Sequence, residues 1–140
     1  MKNLPKAIEI ARKVRKACEH FASHTTDYDY SGNKDLSCMC GVASWTLARI
    51  LRNNGIRARV IYGRFDPDGF CDCHCWVRAC NRIIDITATQ FKVKRKVFVS
   101  KVSSRKYEKK RFIDDVNFFS FWGSQKPSDK VVNNILSKVA

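Results

Sequence analysis

The stretch that decides the reading is Cys73-His74-Cys75-Trp76-Val77-Arg78-Ala79-Cys80-Asn81-Arg82-Ile83-Ile84-Asp85-Ile86-Thr87. Two apolar runs flank a short break at Ala79-Cys80-Asn81, so the pattern predicts strands over Phe70–Arg78 and Arg82–Thr87 joined as a hairpin. Side chains alternate across a strand. His74 and Asp85 thus sit on neighbouring strands, and when both point to one face an imidazole and a carboxylate can hydrogen-bond directly. Cys71, Cys73 and Cys75 are expected on the face opposite His74.

Working outward, Arg57–Arg64 reads as another strand, closed by a turn at Asp66-Pro67-Asp68-Gly69. Before it, Ala43, Leu47, Ile50 and Leu51 mark a helix that is expected to begin near Asp35 or Ser37, both good N-caps, and to stop at Asn53-Asn54-Gly55. Leu4, Ala7, Ile8, Ala11, Val14, Cys18 and Phe21 recur at helical spacing, with Lys6, Glu9, Lys13 and Lys16 on the other side, so Leu4 to about Phe21 is an amphipathic helix. His24–Lys34 reads as loop. Downstream, Phe91–Val99 alternates Phe91, Val93, Val97 and Val99 with Lys92, Lys94 and Lys96, the pattern of a half-exposed strand with a basic outer face. Lys101–Arg111 sets Lys101, Arg105, Lys106, Lys109, Lys110 and Arg111 against Glu108 alone and reads as a solvated loop or strand edge. Ser128 can cap a last helix striped by Val131, Val132, Ile135, Leu136 and Val139. These elements make one α+β domain over residues 1–140 with helical ends and no internal repeat.

A chain of 140 residues suits a single domain, and 44% hydrophobic with 29% charged residues argues against collagenous, low-complexity or disordered classes. No apolar run approaches the ~20 residues of a membrane span, and Met1-Lys2-Asn3-Leu4-Pro5-Lys6 leads into no uninterrupted apolar segment of a secretory signal. A cytoplasmic setting is expected. The seven Cys, an odd number with Cys71, Cys73, Cys75 and Cys80 closely spaced, fit a disulfide framework poorly and a reducing compartment well. The net charge is +14, and residues 91–140 hold thirteen of the 27 Lys and Arg against four of the 13 Asp and Glu. Such a surface attracts polyanions: nucleic acid, acidic membrane surfaces or acidic proteins.

The chemistry centres on Cys40. If Ser37 caps the helix, Cys40 lies in its first turn, where unpaired N–H groups and the positive end of the dipole favour a thiolate. The Cys40 backbone N–H can also stabilise a developing oxyanion. A thiolate nucleophile needs a base, and the base needs an orienting acceptor; His74 and Asp85 meet both needs.

The residues around this set resemble the transglutaminase-like proteins of the papain-like superfamily, in the manner of small bacterial members. Cys40 stands 15 residues before Gly55, and Gly55-Ile56-Arg57-Ala58-Arg59-Val60-Ile61-Tyr62-Gly63 resembles the stretch that follows the family's nucleophile. His74-Cys75-Trp76-Val77 looks like its His-Ala-Trp-Val block, and Ile84-Asp85-Ile86-Thr87 like its aspartate block, continued by Ala88-Thr89-Gln90-Phe91. The resemblance covers Asp35 to Phe91 and leaves residues 92–140 unassigned. It implies a Cys40, His74, Asp85 triad with the nucleophile helix packed on an antiparallel sheet, flanked by N- and C-terminal helices. It also implies a second oxyanion donor upstream of Cys40, for which Tyr28, Tyr30 and Asn33 are the candidates. Three features depart from the family. The interval of 11 residues from His74 to Asp85 is short, Arg57 stands where Pro is frequent, and Cys75 replaces the usual Ala.

On this reading the chain is a cysteine enzyme that forms a thioester from an amide or peptide bond. A peptidase, amidase or deamidase is favoured over a transglutaminase, because short loops do little to exclude water. No cofactor is expected, and the scattered acids offer no Ca²⁺ loop. The substrate would be a protein or peptide, selected for acidity by the basic surface. Two rival readings dispense with catalysis. In the first, Cys38, Cys40, Cys71, Cys73, Cys75, Cys80 and His74 bind zinc. Their one-residue intervals weigh against this, since alternate strand side chains stand roughly 6.6 Å apart whereas two thiolates on one zinc lie nearer ~4 Å. In the second, Lys92, Lys94, Lys96, Lys101, Arg105, Lys106, Lys109, Lys110 and Arg111 contact nucleic-acid phosphates, though no nucleic-acid motif accompanies them.

Overall fold

A computed structural model describes residues 3–26, 30–33, 35–37, 39–66, 72–113 and 129–139. In chain order the elements are α1 (Leu4–His24), α2 (Cys40–Asn53), β1 (Ala58–Phe65), β2 (Asp72–Ala79), β3 (Arg82–Asp85), a 3₁₀ turn (Ala88–Phe91), β4 (Phe98–Lys101), β5 (Tyr107–Ile113) and α3 (Asp129–Ser137). The five strands form one antiparallel sheet in the order β4-β3-β2-β1-β5. The fold is mixed α+β, with α2 packed on β1 and β2 and touching both α1 and α3.

Helix α1 forms because Pro5 suits a first turn and because Ala7, Ala11, Val14, Cys18 and Phe21 repeat on one buried face. Small residues let α2 lie close to its neighbours: Gly41, Ala43, Ser44 and Ala48 are all buried. The end of α2 is a Schellman motif. Gly55 takes φ +76°, its N–H donates to Arg52 O at 3.0 Å, and the Ile56 N–H reaches Leu51 O at 2.9 Å. The β2–β3 hairpin closes on Cys80 and Asn81, both left-handed at φ 53° and 58°, the hand that matches strand twist in a two-residue turn.

Two local expectations are corrected and a third is narrowed. Neither Asp35 nor Ser37 caps α2, which begins at Cys40 behind Met39. Leu36 turns the chain aside at φ +61°, and the Asp35 carboxylate instead accepts from the Ser37 N–H (3.2 Å) and Oγ (2.6 Å), a local turn that competes with capping. Phe91–Val99 is not one strand: the 3₁₀ turn holds Phe91, Lys92 is left-handed at φ +67°, and extended pairing starts only at Phe98. For Lys101–Arg111, of the two readings offered, the strand edge holds from Tyr107 on, where β5 lies at the sheet edge against β1. The expected turn from Pro67 to Gly69 and the proposed Ser128 cap lie outside the described residues.

The sheet is covered on both faces. Towards the helices, Val60, Cys75, Val77, Ile84 and Ile86 join Leu47, Leu51 and the α1 stripe in the main core. On the other face, Ile61, Phe65, Trp76, Ile83 and Tyr107 form a second apolar layer. Gly63 is needed at the boundary. A Cβ there would overlap the Glu108 carbonyl and the Trp76 ring, and the β1–β5 register shifts between Tyr62 and Gly63.

Candidate active site

The hairpin delivers His74 and Asp85 to one face of the sheet, where His74 Nε2 donates to Asp85 Oδ2 at 2.7 Å. Both side chains are fully enclosed. Asp85 is held by two further donors: the Tyr107 hydroxyl to the same oxygen at 2.8 Å, and the Thr87 N–H to Oδ1 at 3.0 Å. A carboxylate fixed by three hydrogen bonds cannot swing away from the imidazole, and it sets which ring nitrogen carries the proton. Phe65 and Phe91 wall the ring at centroid distances of 5.4 and 4.8 Å.

With Nε2 committed to Asp85, Nδ1 is left for chemistry. Cys40, the first residue of α2, lies near enough to the His74 side chain and to Cys75 for both to act on its thiol. The first bond within the helix runs from the Ala43 N–H to Met39 O (2.8 Å), so the N–H groups of Cys40, Gly41 and Val42 have no partner inside α2. These donors lie at the start of α2, the positive end of the helix dipole.

The electrostatics follow from these contacts. The Cys75 hydrogen bond, followed by the hydrogen bond and charge of His74, holds the Cys40 thiol well below its ordinary range against the opposing effect of burial. Burial lowers His74, but the charge and hydrogen bond of Asp85, with Cys40 beside it, outweigh burial and raise it to about 9. Cys75 is pushed upward, first by its bond to Cys40 and then by burial, so it stays a thiol and acts as donor. Burial and then the Asp85 charge push Tyr107 upward as well, which keeps its hydroxyl proton on the bond to Asp85. The favoured state is therefore a Cys40 thiolate beside a His74 imidazolium.

Among the oxyanion candidates, the Tyr30 ring packs against Phe21 at 5.9 Å, and the Asn33 amide donates to Ser37 O at 2.6 Å. Tyr28 lies outside the described residues. Cys75 lies in the helix-facing core, opposite the Phe65 and Trp76 layer that contacts the His74 ring; Cys73 is exposed, and Cys71 is not among the described residues. No group of three or more His, Cys, Asp or Glu side chains among the described residues is arranged to hold a metal.

Three further residues of the site were not singled out by the sequence. Cys75 looked like a neutral replacement for Ala, yet it is the first cause of the lowered Cys40 thiol. Tyr107 arrives from β5, 22 residues beyond Asp85, and its only sequence signal is an aromatic in a basic run. Gln90 Nε2 lies 3.3 Å from His74 Nδ1. When His74 is protonated, Nδ1 is a donor and Gln90 can meet it only by turning its amide oxygen inward.

No protein-family model matches the chain, and neither a curated protein nor a solved structure matches it. The site is therefore read from its own geometry.

Proposed function

We propose that the chain is a cysteine-dependent acyl-transfer enzyme with a transglutaminase-like core, acting on an amide or peptide bond. The observation that carries this reading is the buried 2.7 Å bond between His74 and Asp85 at the start of the helix that carries Cys40, with the Cys40 thiol depressed by Cys75 and His74 and the imidazole raised by Asp85. Structural cysteines are seldom found in such a setting, whereas activated nucleophiles require it.

In the proposed reaction the Cys40 thiolate attacks the carbonyl carbon, and the carbonyl electron pair moves to oxygen, facing the free N–H groups at the start of α2. The C–N bond then breaks as His74 Nδ1–H protonates the departing nitrogen, leaving a Cys40 thioester. Water attacks next and His74 Nδ1 takes its proton. Cleavage of the C–S bond releases the acid and restores the thiolate. Asp85 keeps the imidazole oriented throughout. Hydrolysis is the favoured outcome, which would make the protein a peptidase, amidase or deamidase; an amine in place of water would make it a transglutaminase.

The test uses p-nitrophenyl acetate as acyl donor, with intact-mass detection on wild type, Cys40→Ala and His74→Ala. An acetyl adduct on Cys40 that forms fast only in wild type is expected. Discharge with added glycine ethyl ester against water alone then separates transamidation from hydrolysis. Equal acylation of all three proteins would overturn the proposal.

A further inference from the structure

Away from Cys40, a cleft of about 540 Å³ lies between α1 and the segment leading into β4. Its walls carry Arg12, Arg15, Lys16, Arg95 and Lys96, with Glu19 as the one acid. Glu19 is already shared, between Arg15 Nε at 3.5 Å and Lys96 Nζ at 2.9 Å. Arg12, Lys16 and Arg95 are exposed, and none of them has a carboxylate within ion-pair distance among the described residues. On α1 this sets two like charges at i and i+4, an arrangement that weakens a helix, whereas Lys13 one turn from Glu9 shows the ordinary compensated one.

The inner wall is rigid. Arg15 is only 3% exposed, and it donates to Ile86 O at 2.7 Å and to Thr89 Oγ1 at 2.8 Å. Its Nε is buried without a hydrogen-bond partner. A buried guanidinium held by backbone and hydroxyl acceptors, with Glu19 beside its Nε, thus lies next to three exposed cations that have no carboxylate partner among the described residues. The cleft falls within the size range of small-ligand sites, and two free Arg forks with one Lys match the oxygens of adjacent phosphates.

We propose that this cleft binds a compact polyphosphate, a small molecule bearing two or more adjacent phosphoryl groups. An extended nucleic-acid track is disfavoured by the distribution of the basic residues. Lys92, Lys94 and Lys96 lie on the approach to β4, whereas Lys109 and Lys110 lie on β5 at the other end of the strand order, with β3, β2 and β1 between.

The experiment is isothermal titration of the full chain with inorganic tripolyphosphate, an oligothymidylate and an oligoglutamate. Two variants with equal charge loss are compared, R12Q/K16Q/R95Q in the cleft and K106Q/K109Q/K110Q at the β5 edge, all at exposed positions. Tripolyphosphate should bind one to one, at least about tenfold more weakly to the cleft variant, and within about twofold of wild type to the edge variant. Equal weakening in both variants, or no saturable binding, would overturn the proposal. So would tighter binding of oligothymidylate or oligoglutamate that is lost in the edge variant, since this would assign the charge to a macromolecular partner. Neither result bears on the chemistry at Cys40.

Discussion

Cys40 and Cys75 are two thiols in contact, and their surroundings decide which one ionises. Cys75 is sealed in the helix-facing core, where a charge would be stranded, while Cys40 is partly exposed beside His74 at a helix start. Cys75→Ala removes the largest stabiliser of the Cys40 thiolate. Iodoacetamide labelling of Cys40 should then shift its pH midpoint upward, and an unchanged profile would mean that His74 alone sets it. A second prediction follows from proton linkage. In the unfolded chain Cys40 and His74 titrate at their ordinary 9.0 and 6.5. Between pH 6.5 and the raised His74 value of about 9, the folded pair is thiolate and imidazolium and the unfolded pair is thiol and imidazole. Each state holds one proton, so the pair adds no pH slope to stability there. In Cys40→Ala only the raised His74 remains, and its contribution is complete below the unfolded value and lost as pH rises through the folded one. The melting temperature of Cys40→Ala should therefore fall relative to wild type across this window. Parallel curves would show that wild-type Cys40 is a thiol.

At the scale of elements, the β2–β3 hairpin was legible because a period-two pattern and a two-residue break are local signals, and they put His74 and Asp85 on one face. The start of α2 was not legible. Asp35 and Ser37 have the chemistry of caps, but they satisfy each other in a turn while Met39, with no side-chain oxygen to offer, precedes the helix. The Val and Lys alternation after Phe91 misled for a related reason, since a left-handed Lys92 breaks extension without any Gly or Pro to mark it. Gly63 joins β1 to β5 at close quarters. Gly63→Ala should cost about 2–3 kcal/mol by forcing its Cβ against the Glu108 carbonyl, measured by urea denaturation. A midpoint equal to wild type would contradict the close approach of these strands.

For the whole molecule, the site is assembled from distant parts of the chain, and this is why its periphery escaped the sequence. Arg15 reaches Ile86 across 71 residues and Thr89 reaches Asp35 across 54, contacts that no window of sequence reveals. Tyr107 couples the sheet edge to Asp85 in the same way. Tyr107→Phe leaves a buried carboxylate one donor short and should lower stability by about 1.5–3 kcal/mol. It should also slow Cys40 labelling, since Asp85 then orients His74 less firmly. Loss of stability with labelling unchanged would make Tyr107 a packing residue only.

The bond from Tyr107 to Asp85 also sets an order of events during synthesis. Cys40, His74 and Asp85 are all synthesised before β5, yet the clamp on Asp85 closes only when β5 docks along β1. A growing chain therefore holds Cys40 and His74 for a time without the full support of Asp85, and on the proposed function reactivity matures late, after most of the protein exists to contain it.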